Sequence, residues 1–389
     1  MARFDGLDFV GVDAALSEEE RMVRNSVRSF VSADAMPEFM EHYEAGTFPV
    51  GLLRPMAQLG IFGATITGYE CAGVNNVSYG LMMQELERCD SGLRSFASVQ
   101  SALVMYPIYT YGSEEQKTRW LPQLARADAI GCFGLTEPDF GSNPGGMTTT
   151  AVDDGDSYVL DGTKMWITNG TMADVAVVWA RMDEEVAGFL VERGTPGYQT
   201  RAMTHKLSMR ASDTAELLFD GCRIPKANRL PGAVGLSRAL ACLTQARYGI
   251  AWGVIGAAMA CFHEALTYSR DRVQFSRPIA AYQLTQQKLA DMATEISLSQ
   301  LLCLQLGRLK DDGKLTFSQV SMAKRNNVRK ALEVARTARG VLGANGISGE
   351  YPVMRHLCNL ETVETYEGTY EIHTLMIGQA LTGLAAYDG

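Results

Sequence analysis

The stretch Tyr158-Val159-Leu160-Asp161-Gly162-Thr163-Lys164-Met165-Trp166-Ile167 decides the fold class. Two short β-prone runs flank Asp161-Gly162, a dipeptide that favours the two-residue turns of β-hairpins. A hairpin is therefore predicted here, and it has company. Val175 to Ala180, Gly188 to Val191 and Glu216 to Phe219 read as further strands, with Gly194-Thr195-Pro196-Gly197 as loop punctuation. From about Ala129 to Pro231 the chain is β in character.

Both flanks change period. Upstream, Ser17-Glu18-Glu19-Glu20 forms a capping box ahead of Val23, Val27, Phe30 and Val31 on one helical face. A second box, Ser113-Glu114-Glu115-Gln116, starts a helix reaching toward Leu121 and Pro122. Downstream of Pro231-Gly232, long periodic segments cover about 236–270, 281–312 and 316–342. Helices, then strands, then helices argue for an α+β chain of segregated units, not βαβ winding. The expected divisions are an N-terminal α-helical domain (1–128), a middle β domain (129–235) and a C-terminal α-helical bundle (236–389). No internal repeat or low-complexity segment interrupts them.

Composition narrows the function. A net charge of -9 argues against nucleic-acid binding, which needs a basic surface. The eight cysteines never form a C-x-x-C pair, so they read as reduced thiols and not as a disulfide frame or zinc site. His42, His205, His263, His356 and His373 lack ligand spacing, and no metal is predicted. Met1-Ala2-Arg3-Phe4-Asp5 opens neither a signal peptide nor a transit segment, which makes cytoplasm the expectation. The apolar run from Tyr248 to Phe262 is shorter than the ~20 residues that cross a bilayer. It reads as a buried core helix, with no membrane association.

Chemistry is suggested near the C-terminus by Tyr366-Glu367-Gly368-Thr369, a lone carboxylate at an irregular point between helical stretches. Ile372, Leu375, Met376, Ala380 and Leu381 then recur at helical spacing, and Gly368 lets the backbone approach a ligand closely. On spacing alone, the preferred reading of Glu367 is an ordinary helix-start carboxylate facing the dipole.

Around Glu367 the chain resembles the acyl-CoA dehydrogenase family of flavoproteins, in which a Tyr-Glu-Gly-Thr segment carries the catalytic base. The resemblance runs nearly end to end, through Leu59-Gly60-Ile61-Phe62-Gly63, Cys132-Phe133-Gly134-Leu135-Thr136-Glu137-Pro138, Lys164-Met165-Trp166-Ile167-Thr168-Asn169, Arg272-Val273-Gln274-Phe275 and Gly343-Ala344-Asn345-Gly346. Within the family it is most similar to the glutaryl-CoA dehydrogenases, through Arg94 to Ser101, Ala246 to Gly253 and Thr365 to Thr369. The resemblance implies a three-part fold ending in a C-terminal four-helix bundle, and a homotetramer built as a dimer of dimers.

It also implies FAD. Phe133, Leu135 and Thr136 would offer backbone N–H groups and a hydroxyl to the flavin, continuing to Gly141 and Ser142; alone, this is a strand ending in a Glu-Pro turn. Trp166 would supply a flat wall, beside Ile167 and the Thr168 hydroxyl, although a strand tryptophan is more often core. Arg272, Gln274, Phe275 and Gln283 match positions that reach the FAD of a neighbouring subunit. Gly340, Gly343 and Ala344 lie in a segment resembling the FAD-contacting glycine-rich turn, with Ala344 where a second glycine is common. Thr369 is placed at the cofactor by the same likeness.

For the acyl-CoA, Ser142 matches a residue bonding the pantetheine, and Leu240 through Arg247, including Leu243, would line the CoA channel. Gly368 is placed at the substrate by the same likeness. Arg94 would pair with a distal substrate carboxylate, helped by Ser95 and Ser98, because a buried guanidinium without an anion is costly. The plain alternative pairs Arg94 with Asp90 across a helical turn. Glu87 and Tyr366 match residues of the decarboxylating members, where they form a polar network with the arginine.

The implied reaction begins with Glu367 removing the proton α to the thioester, while the β hydride passes to the flavin. With glutaryl-CoA, loss of carbon dioxide would then yield crotonyl-CoA, and an electron-transfer flavoprotein would take the electrons. A dehydrogenase of another short acyl-CoA, a non-decarboxylating glutaryl-CoA dehydrogenase and an idle flavin-binding protein are the alternatives.

Overall fold

Ser17 starts the first helix, α1 (Glu18–Phe30), through a reciprocal box: its hydroxyl accepts from Glu20 N at 3.2 Å, and Glu20 accepts from Ser17 N at 2.8 Å. The computed structural model describes residues 6–386. A π turn at Val31–Ala35 leads into α2 (Met36–Ala45), followed by α3 (Leu53–Gln58), α4 (Asn76–Cys89) and α5 (Ser91–Ser98). A second π segment, Val99–Met105, joins α5 to α6 (Tyr106–Tyr111), and the Ser113 box starts α7 (Glu114–Ala125).

The strands are β1 (Gly131–Gly134), β2 (Thr150–Asp154), β3 (Ser157–Thr168), β4 (Val175–Met182), β5 (Glu185–Glu192), β6 (Tyr198–Ala202), β7 (Thr214–Pro225) and β8 (Arg229–Val234). They form one sheet in the order β6-β7-β3-β2-β4-β5-β8, with β1 parallel to β4.

The hairpin expected at Asp161-Gly162 is absent. β3 runs unbroken through both residues, and the tight turn lies at Gly155-Asp156, where Asp154 faces Ser157 across β2 and β3. Asp161 faces a bulge in β7: pairing jumps from Leu160/Cys222 to Gly162/Phe219, and Asp161 Oδ1 accepts from Gly221 N at 2.7 Å. Gly162 sits at φ 143°, where a Cβ would come within 2.5 Å of the Thr149 hydroxyl oxygen. The local turn signal yields to strand pairing on both sides. A second irregularity, between Lys164 and Ile167, has Trp166 at φ 63° and leaves its ring 58 % exposed while Ile167 stays buried.

After the sheet come α8 (Leu236–Asp271), the small hairpin β9 (Val273–Gln274) and β10 (Arg277–Pro278), α9 (Gln283–Asp311), α10 (Phe317–Val341), α11 (Val353–Thr365) and α12 (Tyr370–Thr382). The apolar run Tyr248 to Phe262 lies inside α8 and is buried throughout. This helix is long and apolar enough to cross a membrane, yet 83 % of its most apolar window is buried, against α4, α9 and α10.

Candidate active site

Between α11 and α12 the chain passes through two left-handed residues, Glu367 (φ 53°) and Gly368 (φ 98°). Tyr366 ends α11, and Thr369 caps α12 by accepting from Ile372 N at 3.3 Å. Glutamate does not favour positive φ, so the turn must be held from outside. Arg247 of α8 donates from Nε to the Glu367 carbonyl oxygen at 2.6 Å. Lys324 of α10 donates to the carbonyls of Glu364, Tyr366 and Gly368 at 3.3, 2.9 and 2.7 Å.

Glu367 lines a cavity of about 1790 Å³, and its buried Oε2 has no hydrogen-bond partner. Burial raises its pKa above the ordinary 4.5, against the pull of Arg94, Arg247 and Lys324. A desolvated carboxylate with an unengaged oxygen is chemically a base.

The cavity lies between one end of the sheet, α5, α8 and the base turn. Phe133, Leu135, Thr136, Gly141, Ser142, Trp166, Ile167 and Thr168 line one side; Ser95, Leu243, Arg247, Tyr366, Gly368 and Thr369 line the other. Sequence reasoning had reached all of these. Glu87, Arg94 and Ser98 lie behind the wall, fully buried, and are not part of the lining. Arg272, Gln274, Phe275, Gln283, Gly340, Gly343 and Ala344 also line no part of it.

Behind Ser95, Arg94 Nε donates to Glu87 Oε2 at 2.6 Å, and Nη2 donates to the Tyr366 hydroxyl. Ser91 Oγ donates to the other Glu87 oxygen at 2.8 Å. The alternative partner Asp90 is otherwise engaged: it caps α5 and accepts from Arg355 at 2.6 Å and Asn359 at 2.8 Å. Glu87 and Tyr366 thus form with Arg94 the polar network that the resemblance implied, and with Glu87 as its anion the burial of Arg94 does not by itself require a substrate carboxylate. One guanidinium nitrogen, Nη1, has no hydrogen-bond partner.

A second buried pair went unread in the sequence. Glu137, seen there as the start of a Glu-Pro turn, accepts from Lys164 Nζ at 2.8 Å, Thr148 N at 2.7 Å and Thr149 N at 2.9 Å. Lys164 also reaches the Leu135 carbonyl at 3.1 Å, and Met165 N donates to the Thr136 carbonyl at 2.9 Å. Burial opposes ionisation of Glu137, but these bonds prevail and hold its pKa down at about 2. The pair ties the segment after β1 to β3, so that Thr136 and Trp166 face one cavity. Only the coincidence of both residues in the two flavin motifs could have suggested it.

Three family models cover the chain in sequence: the acyl-CoA dehydrogenase N-terminal domain over residues 17–128, the middle domain over 132–222 and the C-terminal domain over 233–382. The chain belongs to the acyl-CoA dehydrogenase family. A glutaryl-CoA dehydrogenase from Mycobacterium smegmatis superposes with a TM-score of 0.97 at 55% identity, covering 98% of this chain and 99% of that one. A second glutaryl-CoA dehydrogenase from M. smegmatis, in complex with FADH2, does so with a TM-score of 0.97 at 50% identity, over 98% and 99% of the two chains. The mitochondrial short-chain specific acyl-CoA dehydrogenase of Mus musculus is 35% identical over 93% of this chain and 90% of its own.

FAD is the cofactor of an acyl-CoA dehydrogenase, and the residues present fit it. Trp166 departs from regular strand geometry to expose a flat indole to the cavity, with the Thr136 and Thr168 side chains also in the wall. Strained backbone that presents a side chain to a cavity, held by a buried ion pair underneath, marks a built site.

Proposed function

We propose that this acyl-CoA dehydrogenase oxidises glutaryl-CoA and decarboxylates the product to crotonyl-CoA, with an electron-transfer flavoprotein as electron acceptor. The observation that carries the reading is the unpaired Nη1 of Arg94, held by Glu87 and Tyr366 behind the wall that Ser95 and Tyr366 form. A buried guanidinium nitrogen without an acceptor has a hydrogen bond to offer a carboxylate brought against that wall. The 55% identity to a glutaryl-CoA dehydrogenase supports the same substrate.

Bound FAD supplies the acceptor for the hydride that leaves the β carbon. Glu367 Oε2 takes the α proton, and by family resemblance the Glu367 N–H would donate to the thioester oxygen as charge develops there. The unsaturated thioester then accepts the electrons released as the distal carboxylate leaves as carbon dioxide. Protonated Glu367 returns its proton to carbon. Ser142 and Leu243 flank the path proposed for the CoA arm. Trp166, Thr168 and Thr136 would hold the flavin, while Arg272, Gln274, Phe275 and Gln283 would complete the site of a second copy in a homotetramer.

One observation favours a second reading, oxidation of a short monocarboxylic acyl-CoA. Glu87 already neutralises Arg94, so the guanidinium can be structural. Incubation with glutaryl-CoA and an artificial electron acceptor, followed by mass analysis, separates the readings. Crotonyl-CoA is expected; glutaconyl-CoA removes the decarboxylation, and turnover of butyryl-CoA alone establishes the second reading.

A further inference from the structure

Lys324 has no part in the chemistry above, yet it is among the largest fully buried side chains, 1 % exposed within α10. Its three hydrogen bonds all go to backbone carbonyl oxygens, those of Glu364, Tyr366 and Gly368. None of these can donate a proton in return. Only an ammonium group has three N–H bonds to match them; a neutral amine would turn its lone pair toward a carbonyl. The three oxygens alternate along the turn and bracket Glu367, whose own carbonyl is held by Arg247. They include the last carbonyls of α11, which lack partners within the helix.

The clamp has something to hold. A glutamate at φ 53° is strained and persists only where its surroundings over-determine it. We propose that Lys324 is a positioning residue for the base, locking the turn so that the Glu367 carboxylate faces the cavity and favouring its ionised form. The inference rests on the reading of Glu367 as the base.

The charged and titratable side chains named around the pair come from four elements. Arg94 projects from α5, Arg247 from α8 and Glu364 from α11, and all three act on the Lys324 ammonium. His373 of α12 faces both cations, and burial pushes it down to about 3, so it is neutral in the working range. Burial pushes Lys324 itself down to about 7, with Glu367 pulling it back up. Removing the ammonium should therefore raise the pKa of Glu367, and the acid limb of the rate profile should move to higher pH.

The test compares full-length wild type with Lys324→Met, Lys324→Gln and Glu367→Gln. FAD content, melting temperature, kcat and KM are measured across pH with glutaryl-CoA or butyryl-CoA and a dye acceptor. Lys324→Met is expected to keep its FAD, lose about 10²-fold in kcat with little change in KM, and shift the acid limb upward. Lys324→Gln, which restores two donors without the charge, should regain part of kcat but keep the shifted limb. It carries the same test if the methionine variant does not fold. A kcat within about twofold of wild type and an unmoved limb would overturn the proposal, as would losses that merely track FAD content and melting temperature. If Glu367→Gln stays active, the reading of the base fails and the positioning role with it. If that variant is inactive while the Lys324 variants match wild type, only the Lys324 inference fails.

Discussion

At Glu367 two demands oppose each other: a carboxylate strong enough to take a proton α to a thioester must be dry, and dryness favours its protonated form. The base works ionised, so kcat/KM falls as pH drops through its pKa, which burial lifts above 4.5. Glu367→Gln should keep yellow FAD and lose about 10³-fold or more in rate, together with the acid limb. Full activity would point to another base. Arg94 needs a more careful substitution, because Arg94→Ala alone strands Glu87 as a buried, unpaired carboxylate. The double replacement Arg94→Ala with Glu87→Gln removes both charges. With glutaryl-CoA its KM should rise about tenfold or more, while butyryl-CoA kinetics change little; an equal effect on both substrates would make the pair structural. The sequence could expose Glu367 and Arg94 because each sits in a short, distinctive stretch. The resemblance implied a polar network of Glu87 and Tyr366 with Arg94, but spacing alone left the contact open, since seven residues and a helix break separate Glu87 from Arg94 and the packed α4–α5 corner brings them together.

The elements show where local signals compete with pairing. The Asp161-Gly162 dipeptide carries a turn signal, but β2 and β7 bond to β3 on both sides, and the bulge falls in β7 opposite Asp161. The alternation of the strands and the period of α8, α9 and α10 were readable because they depend on near neighbours. Lys164 and Lys324 were not readable: in a pattern of periods a lysine marks the solvent side, and nothing nearby in sequence names the buried acceptors they meet. Lys164 tests this at the level of the sheet. Lys164→Met leaves Glu137 buried without its cation and should cost about 3–5 kcal/mol, seen as a lower melting temperature with weakened FAD retention. Because Glu137 is held down at about 2, its contribution is present above its unfolded value of 4.5 and lost as pH falls from there toward 2. The wild type should lose stability relative to Lys164→Met across that window. Parallel acid-denaturation curves would show that the pair contributes nothing.

At the scale of the molecule, part of the surface does not suit a lone chain. Phe275 is 92 % exposed at the tip of the β9–β10 hairpin, Val273 is 51 % exposed beside it, and Leu284, Leu298 and Leu301 stand out from α9. Exposed apolar groups of this size would gain from burial against a second chain. The hairpin is also stiffened in advance: the Tyr282 hydroxyl donates to the Gln274 carbonyl at 2.8 Å, and the Arg277 guanidinium stacks 4.1 Å from the Tyr282 ring centre. Such stiffening lowers the cost of ordering the hairpin on contact with another chain. If Phe275 enters the interface of a second copy, each phenylalanine buried there contributes about 1.5–3 kcal/mol, and a carboxylate in its place would be strongly unfavourable. Phe275→Asp should therefore sediment as a species smaller than wild type and release FAD in the same step. The substituted side chain is remote from Glu367 and from the lining of its own chain's cavity, so joint loss of assembly and cofactor would mean that one chain completes the site of another. A Phe275→Asp protein that keeps the wild-type assembly and its full complement of FAD would show that the hairpin serves neither.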